Sequence, residues 1–115
     1  MSDEDLGFMT AVEAVRRIRT KEISPVELTD AVLRRAEAVQ NACNAFITIS
    51  DDVARAEAKR AEDAVMAGNE LGPLQGVPFT VKDLVNTADV KTTFGSHGFA
   101  ANVPATDSIG IARLR

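Results

Sequence analysis

The chain has 115 residues, of which 45% are apolar and 26% are charged, the balance of an ordinary soluble globular protein. Its formal net charge of -4 argues against nucleic acid and anionic membranes as main partners, because both select for basic patches. The single Cys43 excludes an intramolecular disulfide, and the acidic opening "MSDEDLGFMT" lacks the apolar stretch of a secretory signal or membrane anchor. We therefore expect a cytoplasmic protein of about one domain in size.

Two helices with strong start signals come first. Thr10 is followed three residues later by a glutamate, the spacing of a capping box, which predicts a helix over 10–20. Ser24 and Pro25 supply a cap and a favoured first helical residue, which predicts a second helix over 24–40. The apolar residues expected to face the core are Val12, Val15 and Ile18 in the first helix and Leu28, Val32, Leu33, Ala36 and Val39 in the second.

The middle of the chain alternates between strand-like and helix-like segments. The β-branched and aromatic residues of "AFITIS", residues 45–50, predict a short strand. The alanine-rich segment 51–67 predicts a closely packed helix that begins at two aspartates and stops at Gly68. The alternation in "VPFTVK" predicts a second strand over 77–82, ending at a lysine.

No period holds after this strand, so a loop is predicted from Asp83 to about Pro104. A last helix is predicted over 107–115, capped by Asp107 or Thr106. Two strands seldom make a stable sheet alone, and this last helix has no stop signal. A short chain ending in a helix and the N-terminal part of a larger protein both fit the pattern. The second explanation also accounts for the incomplete sheet.

Lys82 is the first candidate for chemistry, because α/β sheets tend to place ligands and catalytic groups at the C-terminal ends of strands. In a dry environment a lysine loses its proton more readily and could act as a neutral base or in a proton relay. A solvated lysine that ends an edge strand and deters aggregation explains the same pattern without a function. The neighbouring Asp83 could pair with Lys82, orient the loop or remain solvated.

The remaining candidates have structural explanations. The spacing of Gly72, Gly76 and Gly95 matches no phosphate-binding loop, so turns with positive φ explain these glycines better. The single His97 has no partners at metal-ligand spacing, and Cys43 is expected to be buried and inert. The hydroxyl residues expected to shape the loop, with contact to a bound group as the alternative, are Thr92, Thr93 and Ser96.

The stretch "GPLQGVPFTVKDLVNTADVKTTFGS", residues 72–96, resembles the opening motif of the amidase signature family. The flanking segments "SPVELTDAVLRRAEAVQNACNAFITI" and "VPATDSIGIARLR" are also similar to that family, so the resemblance runs from about residue 10 to the last residue. It implies an α/β fold in a single domain. That domain would hold a helical lead-in (10–67), the strand and loop of the lysine motif (72–96) and the start of a further helix (106–115). Its mixed sheet would be incomplete in this chain.

The resemblance also implies hydrolysis of amide bonds by a serine–serine–lysine triad that uses no cofactor and no metal. Lys82 matches the motif lysine, which in the family serves a bridging serine held by a cis peptide bond. The bridging serine activates a nucleophilic serine, and backbone N–H groups stabilise the oxyanion. The expected substrate is a small-molecule amide. Nucleic acid and membranes are not expected partners, and a homodimer is left open.

The glycine- and serine-rich segment that supplies both serines in the family has no counterpart in these 115 residues. We therefore expect an N-terminal fragment of an amidase that does not hydrolyse amides alone. Ser96 matches the serine at the end of the motif and not the nucleophile. Asp89 stands where the family usually has glycine, so a positive φ at this residue would carry some strain.

Two other functions remain open. A non-catalytic module could bind a partner through the apolar faces of its N-terminal helices, which would then be exposed. The chain could also belong to the tRNA-dependent amidotransferase subunit that releases ammonia. The loop "DLVNTADVKTTFGS" resembles stand-alone amidases more closely, which favours the hydrolase.

Overall fold

Five α-helices and one short 3-10 helix form the regular structure of the computed structural model, which describes all 115 residues. They are α1 (Asp3–Gly7), α2 (Ala11–Arg19), α3 (Pro25–Cys43), α4 (Asp51–Met66), the 3-10 helix (His97–Phe99) and α5 (Ile109–Leu114). Helix α3 packs against both α1 and α4. None of the helices combines the length and the apolar character that crossing a membrane would require.

The side-chain caps predicted for α2 and α3 are formed. The Glu13 N–H donates to Thr10 Oγ1 at 3.2 Å, and the Glu27 N–H donates to Ser24 Oγ at 3.0 Å. A proline follows the Ser24 cap in the first turn, where its missing N–H costs no hydrogen bond. The reciprocal half of the box at α2 is not formed, because the Glu13 carboxylate pairs with Arg16 instead.

Helix α1 is missing from the sequence-based prediction, although it has a start signal. The Asp5 N–H donates to Ser2 Oγ at 3.2 Å, and the Ser2 N–H donates to the Asp5 carboxylate at 3.0 Å, which completes a capping box. The box uses aspartate where the sequence pattern names glutamate or glutamine, and the helix is only 5 residues long. Leu6 fixes it to the core, with 2% of its surface exposed.

The core lies between the first four helices. Its seven buried residues are Leu6, Ala14, Ile18, Ile23, Leu28, Ala31 and Val65. Of the predicted inner face of α3, Leu28 and Leu33 are buried, whereas the other three residues are half-buried. Two alanines of α4 are buried, as its composition predicted. The prediction for Val12 is wrong, since it is 82% exposed. The buried face of α2 is formed by Ala14 and Ile18, one helical turn apart.

The strands predicted at 45–50 and 77–82 are not formed in this structure. A strand needs backbone partners, and no backbone N–H of residues 47–50 or 79–82 donates to a backbone carbonyl. Phe46 is held instead by the side chain of Gln40, which donates to its carbonyl at 2.7 Å and accepts from its N–H at 3.1 Å. The helical part of the α/β prediction is therefore confirmed, and these residues contain no sheet.

The predicted helix ends are right for α4 and wrong for α5. Helix α4 stops at Gly68, whose φ of +72° is the left-handed conformation expected of a terminating glycine. Helix α5 begins only at Ile109, and neither Thr106 nor Asp107 caps it. The Asp107 carboxylate is already engaged, because it accepts a hydrogen bond from the Ala88 N–H at 2.7 Å. A long-range contact has replaced the predicted local cap.

Candidate functional site

An open groove of about 660 Å³ lies beside Lys82. Most of its lining comes from α4, from the segment 45–50 before it and from the segment 74–83, with further residues from 85–92 and from the end of the chain. Two large apolar side chains of this lining, Ile47 and Phe79, are 66% and 43% exposed. The lining also contains both stretches whose backbone N–H groups have no backbone partners. The groove therefore offers apolar surface and unpaired backbone groups along with the motif lysine.

Gly76 holds the start of the second segment against the helices. Its φ is +84°, and a Cβ there would lie 2.9 Å from Cγ of Pro25 and 3.2 Å from Cδ1 of Ile18. Glycine alone meets both conditions without strain. The prediction of positive φ is also confirmed at Gly95, with +68°, and is wrong for Gly72. The chain that leads to the motif lysine is thus fixed on the helical core.

The side chain of Lys82 lines the groove and is exposed to solvent. No acidic side chain forms an ion pair with it. Of the two environments that the sequence left open for this lysine, the solvated one is found in these 115 residues. The Val85 N–H donates to the Lys82 carbonyl at 3.0 Å, so the backbone turns directly after the lysine. The other charged residues that line the groove are Glu57, Arg60, Asp83, Lys91 and Arg115.

Asp83 does not pair with the neighbouring lysine and instead binds Thr93, ten residues further on. The Thr93 N–H donates to Asp83 Oδ1 at 2.8 Å, and the Thr93 hydroxyl donates to Asp83 Oδ2. The Phe94 N–H donates to the Asp83 carbonyl at 3.0 Å. We call these three hydrogen bonds the Asp83–Thr93 latch. The hydroxyl bond above all, and the N–H bond after it, hold the pKa of the Asp83 carboxyl below its ordinary value.

The rest of the loop is closed by side-chain and backbone bonds of the same kind. Asn102 pairs twice with Thr92, accepting from its N–H at 3.0 Å and donating a side-chain N–H to its carbonyl at 2.9 Å. Asp89 has a φ of +64°, which confirms that the position departing from the family's glycine is left-handed. Its N–H donates to the Pro104 carbonyl at 3.3 Å, so the strained residue is held by a cross-loop bond.

The other candidates are placed as follows. Ser96 is exposed, and its hydroxyl accepts from the Gly98 N–H at 3.3 Å, which confirms a role in shaping the loop. His97 begins the 3-10 helix. Thr92 and Thr93 are only 2% and 7% exposed, so their hydroxyls act inside the loop. Cys43, predicted to be buried, is exposed in the last turn of α3.

The latch was not predicted, because its two ends are separated by ten residues and no local pattern joins an aspartate to a threonine at that distance. The sequence signal that could have found it is indirect. Asp83 and Thr93 both belong to the family motif, and Asp83 follows the motif lysine directly. The structure joins these two motif residues by hydrogen bonds, and both Lys82 and Asp83 line the groove.

Comparison with known proteins agrees with the motif. A family model described as Amidase matches residues 27–115. The acylamidase of Rhodococcus erythropolis is 32% identical over 115 residues, which is 100% of this chain and 24% of that protein. The A subunit of glutamyl-tRNA(Gln) amidotransferase from Prochlorococcus marinus is 40% identical over 106 residues, covering 92% of this chain and 22% of that protein.

A third relative, the corresponding amidotransferase protein of Sinorhizobium fredii, is 43% identical over 93 residues, covering 81% of this chain and 19% of that protein. The chain thus spans less than a quarter of the length of these relatives. The family match covers most of the chain and includes the whole stretch from the groove segment to the latch. The chain belongs to the amidase family.

Proposed function

We propose that this chain contributes the lysine of an amidase relay that hydrolyses carbon–nitrogen amide bonds. The observation that carries the proposal is that Lys82, the lysine of the family motif, lines the 660 Å³ groove with no acidic side chain paired to it. A lysine without an ion partner can give up its proton to become a base once its surroundings are dry. The substrate class that fits the family is a small-molecule amide.

The residues of this chain supply one part of the reaction. In the relay that the family resemblance implies, Lys82 takes a proton from a bridging serine, which in turn takes one from the nucleophilic serine. The nucleophile attacks the amide carbonyl, the amine leaves with a proton, and water hydrolyses the acyl-enzyme. In that relay the two serines and the further strands of the sheet would have to come from polypeptide that these 115 residues do not include. We therefore expect no amide turnover above background from this chain alone.

The exposure of Lys82 in the groove is consistent with a site in which the lysine and the two serines come from different parts of the polypeptide. Polypeptide that covers the groove would desolvate the amine and favour its neutral form. The unpaired backbone N–H groups of residues 79–82 would also find partners there.

A chimera tests the proposal. The chain replaces the matching 24% of Rhodococcus erythropolis acylamidase, and amide hydrolysis is measured for the chimera and its variants. We expect Lys82→Ala to lower kcat about 100-fold or more, because general-base catalysis contributes at least that much. Lys91→Ala, which changes another lysine of the groove lining, is the matched control and should keep activity. A folded, active chimera that is indifferent to Lys82→Ala would overturn the proposal.

A second candidate is the amidase subunit of a tRNA-dependent amidotransferase. The favouring observation is that the two amidotransferase relatives reach 40% and 43% identity, against 32% for the acylamidase. The corresponding chimera with the Prochlorococcus marinus protein separates the two. Ammonia release from glutamine by this second chimera, with no hydrolysis of simple amides by the first, would favour the amidotransferase.

The structure gives no comparable support to a helical interaction module. Such a module needs exposed apolar helix faces, whereas Leu28 and Leu33 of α3 are 3% and 8% exposed and lie inside the chain's own core. Of the large apolar side chains exposed in the groove, Ile47, Leu74 and Phe79 belong to non-helical segments, and Leu114 lies at the end of α5.

A further inference from the structure

Asp83 is the only acidic residue next to Lys82 in the sequence, and opposite charges at that separation normally attract. The carboxylate is nevertheless occupied elsewhere. Both of its oxygens accept hydrogen bonds from Thr93, one from the backbone N–H and one from the hydroxyl. The hydroxyl is fixed in this direction, because its own oxygen accepts from the Gly95 N–H at 3.3 Å.

The second part of the latch acts on the backbone. The Phe94 N–H donates to the Asp83 carbonyl at 3.0 Å. This bond closes residues 83–94 into a loop that begins directly after Lys82. Thr93 is 7% exposed and shielded from competing water. Removing either partner would release the loop and leave the other polar group without its bonds.

The charged residues around the groove differ in whether another side chain already binds them. Glu57 is bound by Arg115 and lies near Arg60, so its charge is compensated. Lys91 carries the same charge as Lys82 and cannot form an ion pair with it. Asp83 is the remaining acidic group of the lining. Asp83 is thus the acidic side chain of the lining that could be left available to Lys82, and it is engaged by Thr93.

We propose that Asp83 is a positioning residue for the reaction, which turns its carboxylate onto Thr93 and thereby keeps it from pairing with Lys82. This inference rests on the proposed role of Lys82 as a base. A lysine paired with a carboxylate holds its proton, whereas a lysine whose neighbour is engaged elsewhere can release it. The latch thus fixes the loop at the tip of the motif and preserves the reactivity of the amine.

Competitive acetylation of the 115-residue chain tests this without any turnover. Acetic anhydride reacts with neutral amines, so the labelling of Lys82 relative to Lys21, measured by mass spectrometry over a range of pH, reports how readily Lys82 loses its proton. Thr93→Val removes the hydroxyl that holds the Asp83 carboxylate. We expect the midpoint for Lys82 to move upward by about 0.5 to 1 pH unit, because the released charge is attracted to the ammonium.

Two further variants distinguish positioning from general loosening of the loop. Thr93→Ser keeps the hydroxyl and should restore the original midpoint. The double variant Asp83→Asn with Thr93→Val loosens the loop in the same way but has no carboxylate, and its midpoint should not rise. Unchanged midpoints in Thr93→Val, or an equal rise in the double variant, would overturn the proposal.

Amide exchange of the unaltered chain keeps the test decisive if Thr93→Val does not fold. The latch requires that the Thr93 and Phe94 amides exchange at least about tenfold more slowly than in an unstructured peptide. Exchange at the unstructured rate would show that the latch is not formed and would end the proposal. Because no experiment here measures hydrolysis, a negative result leaves the role of Lys82 as a base to be judged by the chimera.

Discussion

The helical part of the molecule, residues 1–67, and the loop-bearing part, residues 72–108, are stabilised by different means. The helical part buries apolar side chains, with Ile18 and Ala31 at 1% and 0% exposure. In the loop-bearing part, the residues with less than a tenth of their surface exposed are the threonines Thr87, Thr92 and Thr93. Apolar burial tolerates small shifts in geometry, whereas each hydrogen bond depends on one donor and one acceptor. Substitution of a single polar residue can therefore loosen the loop-bearing part, which carries the motif lysine.

The largest expected effect is on the helical part. Ile18→Ala truncates the largest of the fully buried side chains, whose Cδ1 lies 3.2 Å from where a Cβ on Gly76 would stand. We expect a loss of about 2 to 5 kcal/mol in the free energy of unfolding, measured by urea denaturation. Val12→Ala, on the same helix but 82% exposed, is the control and should change it by less than about 0.5 kcal/mol. Equal effects of the two variants would contradict the described core.

A smaller effect is expected where the two parts meet. Gly76→Ala places a Cβ 2.9 Å from Cγ of Pro25 on a residue with a φ of +84°. The strain and the contact together should cost about 1 to 3 kcal/mol in the free energy of unfolding, again measured by urea denaturation.

The matched control for that variant is Gly110→Ala in α5. A Cβ at Gly110 would meet no atom within 4 Å, and its φ is not positive. This change should be neutral or stabilise the chain by up to about 1 kcal/mol. If Gly76→Ala were equally harmless, the two parts would not be joined at Gly76 as described.

The smallest effect is a difference in acid titration. The pKa of Glu13 is lowered to about 2 by its bonds to Arg16 and Arg17, and that of Asp83 is lowered by Thr93. A carboxyl whose pKa is depressed on folding stabilises the fold above its unfolded pKa, and this contribution is lost as pH falls through the folded pKa. The stabilisation by both groups is therefore present at neutral pH and is lost in acid, as the pH falls from the ordinary carboxyl pKa through the lowered one.

Carbon NMR of the side-chain carboxyls should resolve the two titrations. In Thr93→Val the titration of Asp83 should move up toward the ordinary aspartate value, because the bonds that favour its ionised form are weakened. The titration of Glu13 should stay in place, since its arginine partners lie in the helical part. Movement of both would mean that the two parts are not independent.

Prediction from sequence succeeded where the cause is local. The caps at Thr10 and Ser24 and the stop at Gly68 depend on residues within one turn, and all three are formed. The strands predicted at 45–50 and 77–82 have strand-like composition, but a strand also requires pairing, and no backbone N–H of residues 47–50 or 79–82 donates to a backbone carbonyl. Composition alone could not predict whether these segments find a pairing partner.

The candidate site was predicted only in part for a similar reason. The sequence alone identified Lys82 by its position in the motif, and the structure shows that this lysine lines the groove. The engagement of Asp83 with Thr93 spans ten residues, so local patterns left three roles open for the aspartate, of which the loop-orienting one is observed. Cys43 was predicted to be buried from the average behaviour of cysteine, whereas its position at the end of α3 exposes it.

The exposed Cys43 has a practical consequence for observing this molecule. It is the single thiol of the chain, and it is not among the residues that line the groove. A maleimide fluorophore would attach at one place, at the end of α3, and its anisotropy would follow tumbling of the helical part without touching the loop. When added polypeptide covers the groove, the slower tumbling of that dye would register assembly even in variants that perform no chemistry.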